Sequence, residues 1–137
     1  KQVIILTLLA ISLTACSKKY TEEITLIEGT DLTCFIEANT ESDNMALKIK
    51  IINSGTEDIS GTDLFRYTAS INGNEVFTQR ESSINLSSGS NFISTFPVPR
   101  LIYKYDDYGE VSCNVDADNE FEEVNENNNI NVNKYTF

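Results

Sequence analysis

The chain has 137 residues and a formal net charge of −11, which is the size of one domain with an acidic surface. Such a surface repels the phosphates of nucleic acids and of anionic lipid head groups, so nucleic acid is not an expected partner. Histidine is absent, which removes the commonest general base near neutral pH and a usual ligand of zinc. We therefore predict a protein that is not an enzyme and has no transition-metal cofactor.

The start of the chain is typical of an export signal. Lys1 precedes an apolar run over 3–13, which is shorter than the roughly 20 residues that a membrane-spanning helix needs. The run ends in Leu-Thr-Ala-Cys, with small residues directly before Cys16. This order predicts a bacterial lipoprotein signal and lipid attachment at Cys16, on the outer side of a membrane in the cell envelope. The chain then divides into a signal peptide, a polar tether and a folded domain, at 1–15, 16–25 and 26–137.

Apolar and polar side chains alternate along most of the predicted domain, which indicates half-buried β-strands. The pattern is clear in 32–38 and 47–51, and between 65–71 and 75–80 it is interrupted by Asn-Gly, a strong hairpin signal. Further alternating runs occupy 92–98, 111–115 and 130–134. No segment after the signal has helical periodicity. About seven short strands with regular turns predict an all-β sandwich of antiparallel strands.

The connection between the last two predicted strands is dense in carboxylates and carboxamides, and it allows two interpretations. Its acids are hard oxygen ligands of the kind that Ca²⁺ prefers, which predicts a calcium site. In the alternative, Asp and Asn side chains form a turn, Asn128 and Asn129 bond to backbone, and the carboxylates face water. The candidate calcium ligands are Asp116, Asp118, Glu120, Glu123 and Glu126.

The same connection resembles the end of the CARDB domain, the cell-adhesion-related domain of bacteria. That family ends in an Asp-x-Asp-Asn-x-apolar-x-Glu-x-Asn-Glu-x-Asn-Asn pattern. A second match lies at 47–56, where Leu-Lys-Ile-Lys-Ile-Ile-Asn-Ser-Gly-Thr resembles the family's second strand and its turn. The terminal pattern is matched by Asp116, Asp118, Asn119, Phe121, Glu123, Asn125, Glu126, Asn128 and Asn129.

The resemblance covers nearly all of the chain after the signal and implies an immunoglobulin-like β-sandwich. It also implies a non-catalytic role in binding or adhesion at the cell envelope, with a protein or a polysaccharide as partner and the membrane reached through the lipid. The alternative is a structural lipoprotein that serves as scaffold or accessory subunit of a larger surface complex, through strand pairing at a sheet edge.

Two further features are candidate sites. Cys34 and Cys113 lie on the apolar faces of their predicted strands, so they form either a disulfide across the core or two buried thiols. Tyrosines and acids after the fifth strand form either a partner-binding patch or a loop packed against the sandwich edge. The residues of this second feature are Tyr103, Tyr105, Asp106, Asp107 and Tyr108.

Overall fold

A computed structural model describes residues 25–60, 65–82 and 84–137. The predicted signal peptide, the lipidation site at Cys16 and nearly all of the tether lie outside these residues. Within the described ranges, no helix has the length and apolar character that a membrane crossing requires.

In the described residues, seven strands form two antiparallel sheets, as the alternation predicts. The first sheet has the order β1-β2-β5 and the second has the order β4-β3-β6-β7. The single short helix among the described residues, α1 at Arg100–Tyr103, connects β5 to β6. The strands are β1 Leu32–Asn39, β2 Met45–Asn53, β3 Phe65–Ile71, β4 Asn74–Glu81, β5 Asn91–Val98, β6 Tyr108–Asn114 and β7 Ile130–Thr136.

The core lies between the two sheets and is made by the apolar face of each strand. In β2, for example, Leu47, Ile49 and Ile51 are fully buried, because successive side chains of a strand point to opposite faces. Aromatic rings join the sheets at the other side of the core, where Phe77 of β4 stacks on Phe96 of β5 with ring centroids 3.9 Å apart. Closely packed apolar side chains of both sheets thus hold the sandwich together.

The hairpin between β3 and β4 turns at the predicted dipeptide. Asn72 and Gly73 have φ angles of 48° and 79°, which is the left-handed conformation that a tight two-residue hairpin requires. The sequence does not predict α1, which follows Pro99 and is capped by Lys104, where φ is 50°. A four-residue helix is too short to produce a periodic pattern, so it is found only in the structure.

The structure bonds Cys34 of β1 to Cys113 of β6, across the two sheets. Their Cα atoms are 6.4 Å apart, inside the range in which two cysteines can be bridged without movement of the backbone. Both side chains are buried. The covalent state of this pair in the cell stays a prediction.

The side chains of β7 cover part of the free edge of β1. Asn131 accepts a hydrogen bond at Oδ1 from the backbone amide of Ile36 at 3.3 Å, and Asn133 donates from Nδ2 to the Ile36 carbonyl at 3.1 Å. One residue of the edge strand thereby has both of its backbone groups bonded, although no strand pairs with it there.

The register places two sets of loops at opposite ends of the sandwich. Leu32 at the start of β1 is paired with Asn53 at the end of β2, and Asn114 at the end of β6 is paired with Ile130 at the start of β7. The segment before β1 and the acidic loop at 115–129 share one end, since the amide of Val124 donates to the carbonyl of Thr30. The connection that contains α1 lies at the other end.

Reduction should lower the free energy of unfolding by about 4 kcal/mol on the chain-entropy model, because the bridge closes a loop with a sequence separation of 79. Urea denaturation with and without a thiol reductant measures this difference. The double variant Cys34→Ala, Cys113→Ala is the control, and its midpoint should be the same in both conditions. A wild-type midpoint that reductant does not move would show that the two sulfurs are not bonded.

Candidate metal centre

The acidic loop at 115–129 is held against both sheets by backbone hydrogen bonds. The amide of Val124 donates to the carbonyl of Thr30 at 3.0 Å, just before β1. The amide of Ala117 donates to the carbonyl of Arg66 at 2.8 Å, in β3 of the other sheet. The loop is thus a fixed connection across the end of the sandwich, so its side chains have defined positions.

Asp116 organises the first turn of the loop. Its φ angle is 48°, a left-handed conformation that Asp tolerates better than most residues. Its two carboxylate oxygens accept backbone hydrogen bonds from Glu120 at 3.1 Å and Phe121 at 3.0 Å. The residue is 3% exposed, and this burial raises the pKa of the carboxyl group, although the two amide donors oppose the shift.

Glu123 brings a second carboxyl group into the interior, where it is 8% exposed. Its Oε1 accepts a short hydrogen bond from the backbone amide of Leu32, and its Oε2 accepts one from Asn129 Nδ2 at 2.6 Å. Burial raises the pKa of Glu123 to about 8, against the lowering effect of these two donors. The neighbouring carboxylates of Glu126 and Asp116 raise it further.

Glu126 completes a group of three carboxyl groups. Its Oε1 accepts a hydrogen bond from the Glu123 backbone amide at 3.2 Å, and its Oε2 lies 3.4 Å from Asn129 Nδ2. One oxygen from each of Asp116, Glu123 and Glu126 lies within 4.8 Å of the other two. Three oxygens at this separation have the spacing of ligands that share one cation.

The two remaining predicted ligands do not join this group. Asp118 accepts hydrogen bonds from Arg66 at 2.6 Å and from Arg80 at 2.6 Å, and Glu120 is paired with Arg80. The Arg66 guanidinium lowers the pKa of Asp118, with a smaller contribution from Arg80. Their side chains reach the outer face of the second sheet, because the outward positions of β3 and β4 carry these two arginines.

The alternative of a turn with solvated carboxylates is correct in one respect and needs correction in two. Asp116 does close a turn on backbone amides. However, the carboxyl groups of Asp116 and Glu123 are buried rather than in water. Asn128 and Asn129 donate to the carboxylates of Asp31 and Glu123, where hydrogen bonds to backbone were expected.

Sequence reasoning missed several participants on the facing elements. Asp31 is completely buried directly before β1, and its carboxylate contacts Ser54 and Asn128. Thr33 accepts a hydrogen bond from Asn128 Nδ2 at 3.1 Å. A single acid before a strand gives no signal of burial, and Asp31 is far in sequence from the loop that it contacts.

The predicted partner-binding residues are separated by the structure. Tyr105 is buried, its ring stacks on Phe137 at 5.5 Å, and its hydroxyl accepts a hydrogen bond from the Met45 amide at 2.6 Å. Asp107 is paired with Arg100, and Asp106 is exposed. Tyr103 and Tyr108 are 43% and 75% exposed, close in sequence to the exposed Leu101 and Ile102 of α1. The exposed surface of this region is therefore more apolar than the predicted patch of tyrosines and acids.

One protein-family model covers both the strands and the acidic loop. The CARDB model matches residues 29–133, from just before β1 to within β7. The chain belongs to the CARDB family. The resemblance to CARDB predicted from the sequence is thus confirmed. CARDB is a cell-adhesion-related, non-enzymatic family of extracellular type.

Solved CARDB domains have the same fold. The crystal structure of the CARDB domain of the PF1109 protein from Pyrococcus furiosus, in complex with di-metal ions, is 21% identical, with a TM-score of 0.61. The match covers 82% of this chain and 96% of that one. A domain from a Methanosarcina acetivorans protein that is assigned to the cell surface is 22% identical, with a TM-score of 0.60, over 79% and 92% of the two chains. No curated protein matches the chain.

The carboxyl groups of Asp116, Glu123 and Glu126 form a donor set that fits a hard cation. All three groups offer oxygen, which Ca²⁺ and Mg²⁺ prefer, whereas zinc prefers sulfur and imidazole nitrogen. None of the ion pairs found among the described residues includes Asp116, Glu123 or Glu126, so no protein cation neutralises them there. Their mutual repulsion would be relieved by a bound cation.

The pKa of Glu123 predicts that the cation-free protein becomes less stable as pH rises. The folded state keeps this proton up to about pH 8, whereas the unfolded chain releases it near the ordinary value of 4.5. Stability should therefore fall between about pH 4.5 and pH 8. Thermal melts in chelator at a series of pH values measure this slope.

Glu123→Gln should flatten that slope, because glutamine resembles the protonated acid and does not titrate. Glu122→Gln, which changes an exposed acid of the same loop, should keep the wild-type slope. An equal slope in wild type and Glu123→Gln would show that Glu123 does not hold its proton in the folded state.

Proposed function

We propose that this CARDB domain is a non-catalytic, calcium-binding adhesion module that is held at the cell envelope by a lipid on Cys16. The observation that carries the proposal is the group of three carboxyl groups, two of them buried, with no protein cation beside them among the described residues. Burial of carboxylates without a counter-charge is costly, and a divalent cation removes that cost.

Calcium fits the group better than the other hard cations. Ca²⁺ takes six to eight oxygens in flexible geometry and accepts bidentate carboxylates, whereas Mg²⁺ demands an octahedron and keeps several waters. Asp116, Glu123 and Glu126 have six carboxylate oxygens between them, on a loop whose backbone is already fixed. The di-metal complex of the Pyrococcus furiosus CARDB domain supports metal binding in this fold.

A cation at this position would strengthen the contact between the two sheets. Glu123 is hydrogen-bonded to the first residue of β1, whereas Asp116 follows β6 of the other sheet. Loss of the Glu123 proton accompanies binding, since a cation selects the charged carboxylate. Calcium affinity should therefore rise with pH up to about 8.

A lipid anchor on Cys16 would leave the opposite end of the domain free to face a partner. The segment before β1 runs beside the acidic loop, because Thr30 accepts a hydrogen bond from Val124 there. A tether from Cys16 would thus reach the domain at its calcium end. The far end exposes Leu101 at 93%, Ile102 at 69% and Tyr108 at 75%. We propose that this end meets the partner, and its aliphatic character favours a protein over a polysaccharide.

A scaffold that works by strand addition at the edges of the first sheet has less support. The free edge of β1 is covered at Ile36 by side chains of β7, and the free edge of β5 contains Pro97, which has no amide to donate. Both features hinder pairing with a strand from another chain.

Calcium should raise the melting temperature of the protein, and chelator should reverse the rise. The free energy of unfolding should rise by about 2.7 kcal/mol at a calcium concentration 100 times the dissociation constant, since only the folded state has the site. Glu126→Gln removes one ligand at an exposed position and should abolish most of the gain. Glu122→Gln is the matched control, with the same change of charge in the same loop, and should respond as the wild type does.

Two outcomes would contradict the calcium proposal. The first is a melting temperature that millimolar calcium leaves unchanged. The second is a rise that Glu126→Gln and Glu122→Gln retain equally, because it would come from general screening of the acidic surface rather than from a site.

A further inference from the structure

Two consecutive asparagines have the same unusual pattern of contacts. Asn128 donates from Nδ2 to Asp31 Oδ2 at 2.7 Å, and Asn129 donates from Nδ2 to Glu123 Oε2 at 2.6 Å. The carbonyl oxygen Oδ1 of each carboxamide is buried and has no hydrogen-bond partner. A buried carbonyl without a partner is costly, so both amides satisfy the carboxylates at the expense of their own oxygens.

The contacts of Asn128 define a second polar cluster, next to the cluster of Asp116, Glu123 and Glu126. Asp31 is 0% exposed, its Oδ2 is bonded to Ser54 and Asn128, and its Oδ1 has no partner. Thr33 Oγ1 is 2.8 Å from Ser54 Oγ, which adds two hydroxyl groups to the cluster. The ion pairs found in the described ranges do not include Asp31.

The missing partners have a common explanation. Rotation of a carboxamide by half a turn exchanges its NH₂ group with its oxygen at almost no cost in shape. After this rotation, Asn128 Oδ1 would face the Asp31 carboxylate, and Asn129 Oδ1 would face Glu123 and Glu126. Two oxygens repel each other across such a distance unless a cation lies between them. With a cation, the same arrangement is a set of ligands.

We propose that this end of the domain binds two calcium ions, one at Asp31 and Asn128 and one at Asp116, Glu123, Glu126 and Asn129, with both asparagines turning Oδ1 toward the metal. The proposal rests on the proposed calcium function and adds a second position and two ligands to it. The two clusters involve neighbouring residues, because Asn128 precedes Asn129, and Asp31 precedes Leu32, which bonds Glu123.

The first experiment is calorimetric titration of the purified protein with calcium, with the number of bound ions as the readout. We expect two ions per chain. Asp31→Asn should remove the second position and leave one ion, and Glu126→Gln should leave the ion at Asp31. Glu122→Gln should keep both. One ion per chain, unaffected by Asp31→Asn but lost in Glu126→Gln, would overturn the second position and leave the proposed function intact. Absence of any bound calcium would overturn both.

Asn128→Asp supplies a test that does not depend on the folding of Asp31→Asn. The variant places a carboxylate beside buried Asp31, so it should melt well below the wild type in chelator. If Asn128 is a ligand, calcium should recover that loss, because the new carboxylate binds the ion more strongly than a carboxamide does. A loss that calcium does not recover would overturn the position, and ordered water would then be the partner of the buried oxygens.

The carboxamide rotation has its own readout. The side-chain NH₂ groups of Asn128 and Asn129 should change their nuclear magnetic resonance shifts on calcium addition, as they leave the carboxylates. Asn129→Asp should retain calcium binding, whereas Asn129→Leu should weaken it by about tenfold or more. Equal calcium affinity in Asn129→Leu and wild type would overturn the assignment of this residue as a ligand.

Discussion

The hydrogen bond from the Leu32 amide to the Glu123 carboxyl group connects the two halves of the molecule at the point where β1 begins. Glu123 lies in the loop between β6 and β7 of the second sheet, and Leu32 begins the edge strand of the first. The contact brings a group that prefers water into a nearly dry position, 8% exposed. This burial raises the pKa of Glu123. The same carboxyl group accepts a hydrogen bond from Asn129 and lies close to the carboxyl groups of Asp116 and Glu126.

The carboxylates of the acidic loop have different partners on the two sides of the loop. On the outer side, Arg66 and Arg80 stand opposite each other in the paired strands β3 and β4, and Asp118 lies between them and bonds both. Like charges in directly opposed positions of a sheet are unfavourable, so the loop and the sheet relieve each other there. On the inner side, carboxamides and backbone amides are the donors, and they neutralise nothing. That difference in charge balance is what makes the inner side the candidate metal centre.

The sequence predicted the strands well because alternation is a local property, and the turn at Asn72 and Gly73 has its own local chemistry. It also located the acidic loop and Asp116, Glu123 and Glu126 within it. It did not separate Asp118 from that set, since the arginines that bind Asp118 are 38 and 52 residues away and meet only through strand pairing. Asp31 was missed for the same reason. The sequence left Tyr105 either in a binding patch or packed against the sandwich, because its burial depends on the distant Met45 and Phe137.

The bonds from Asn131 and Asn133 to Ile36 have a chemical consequence for this acid-rich chain. One carboxamide accepts from the backbone amide and the other donates to the backbone carbonyl, so the pair needs an NH₂ group that an aspartate lacks. Deamidation of Asn133 would set a carboxylate against the carbonyl of Ile36, two acceptors facing each other. The hydrogen bond to the Ile36 carbonyl therefore depends on the amide nitrogen of one side chain. Slow hydrolysis of this side-chain amide would uncover that part of the β1 edge without breaking a bond of the main chain.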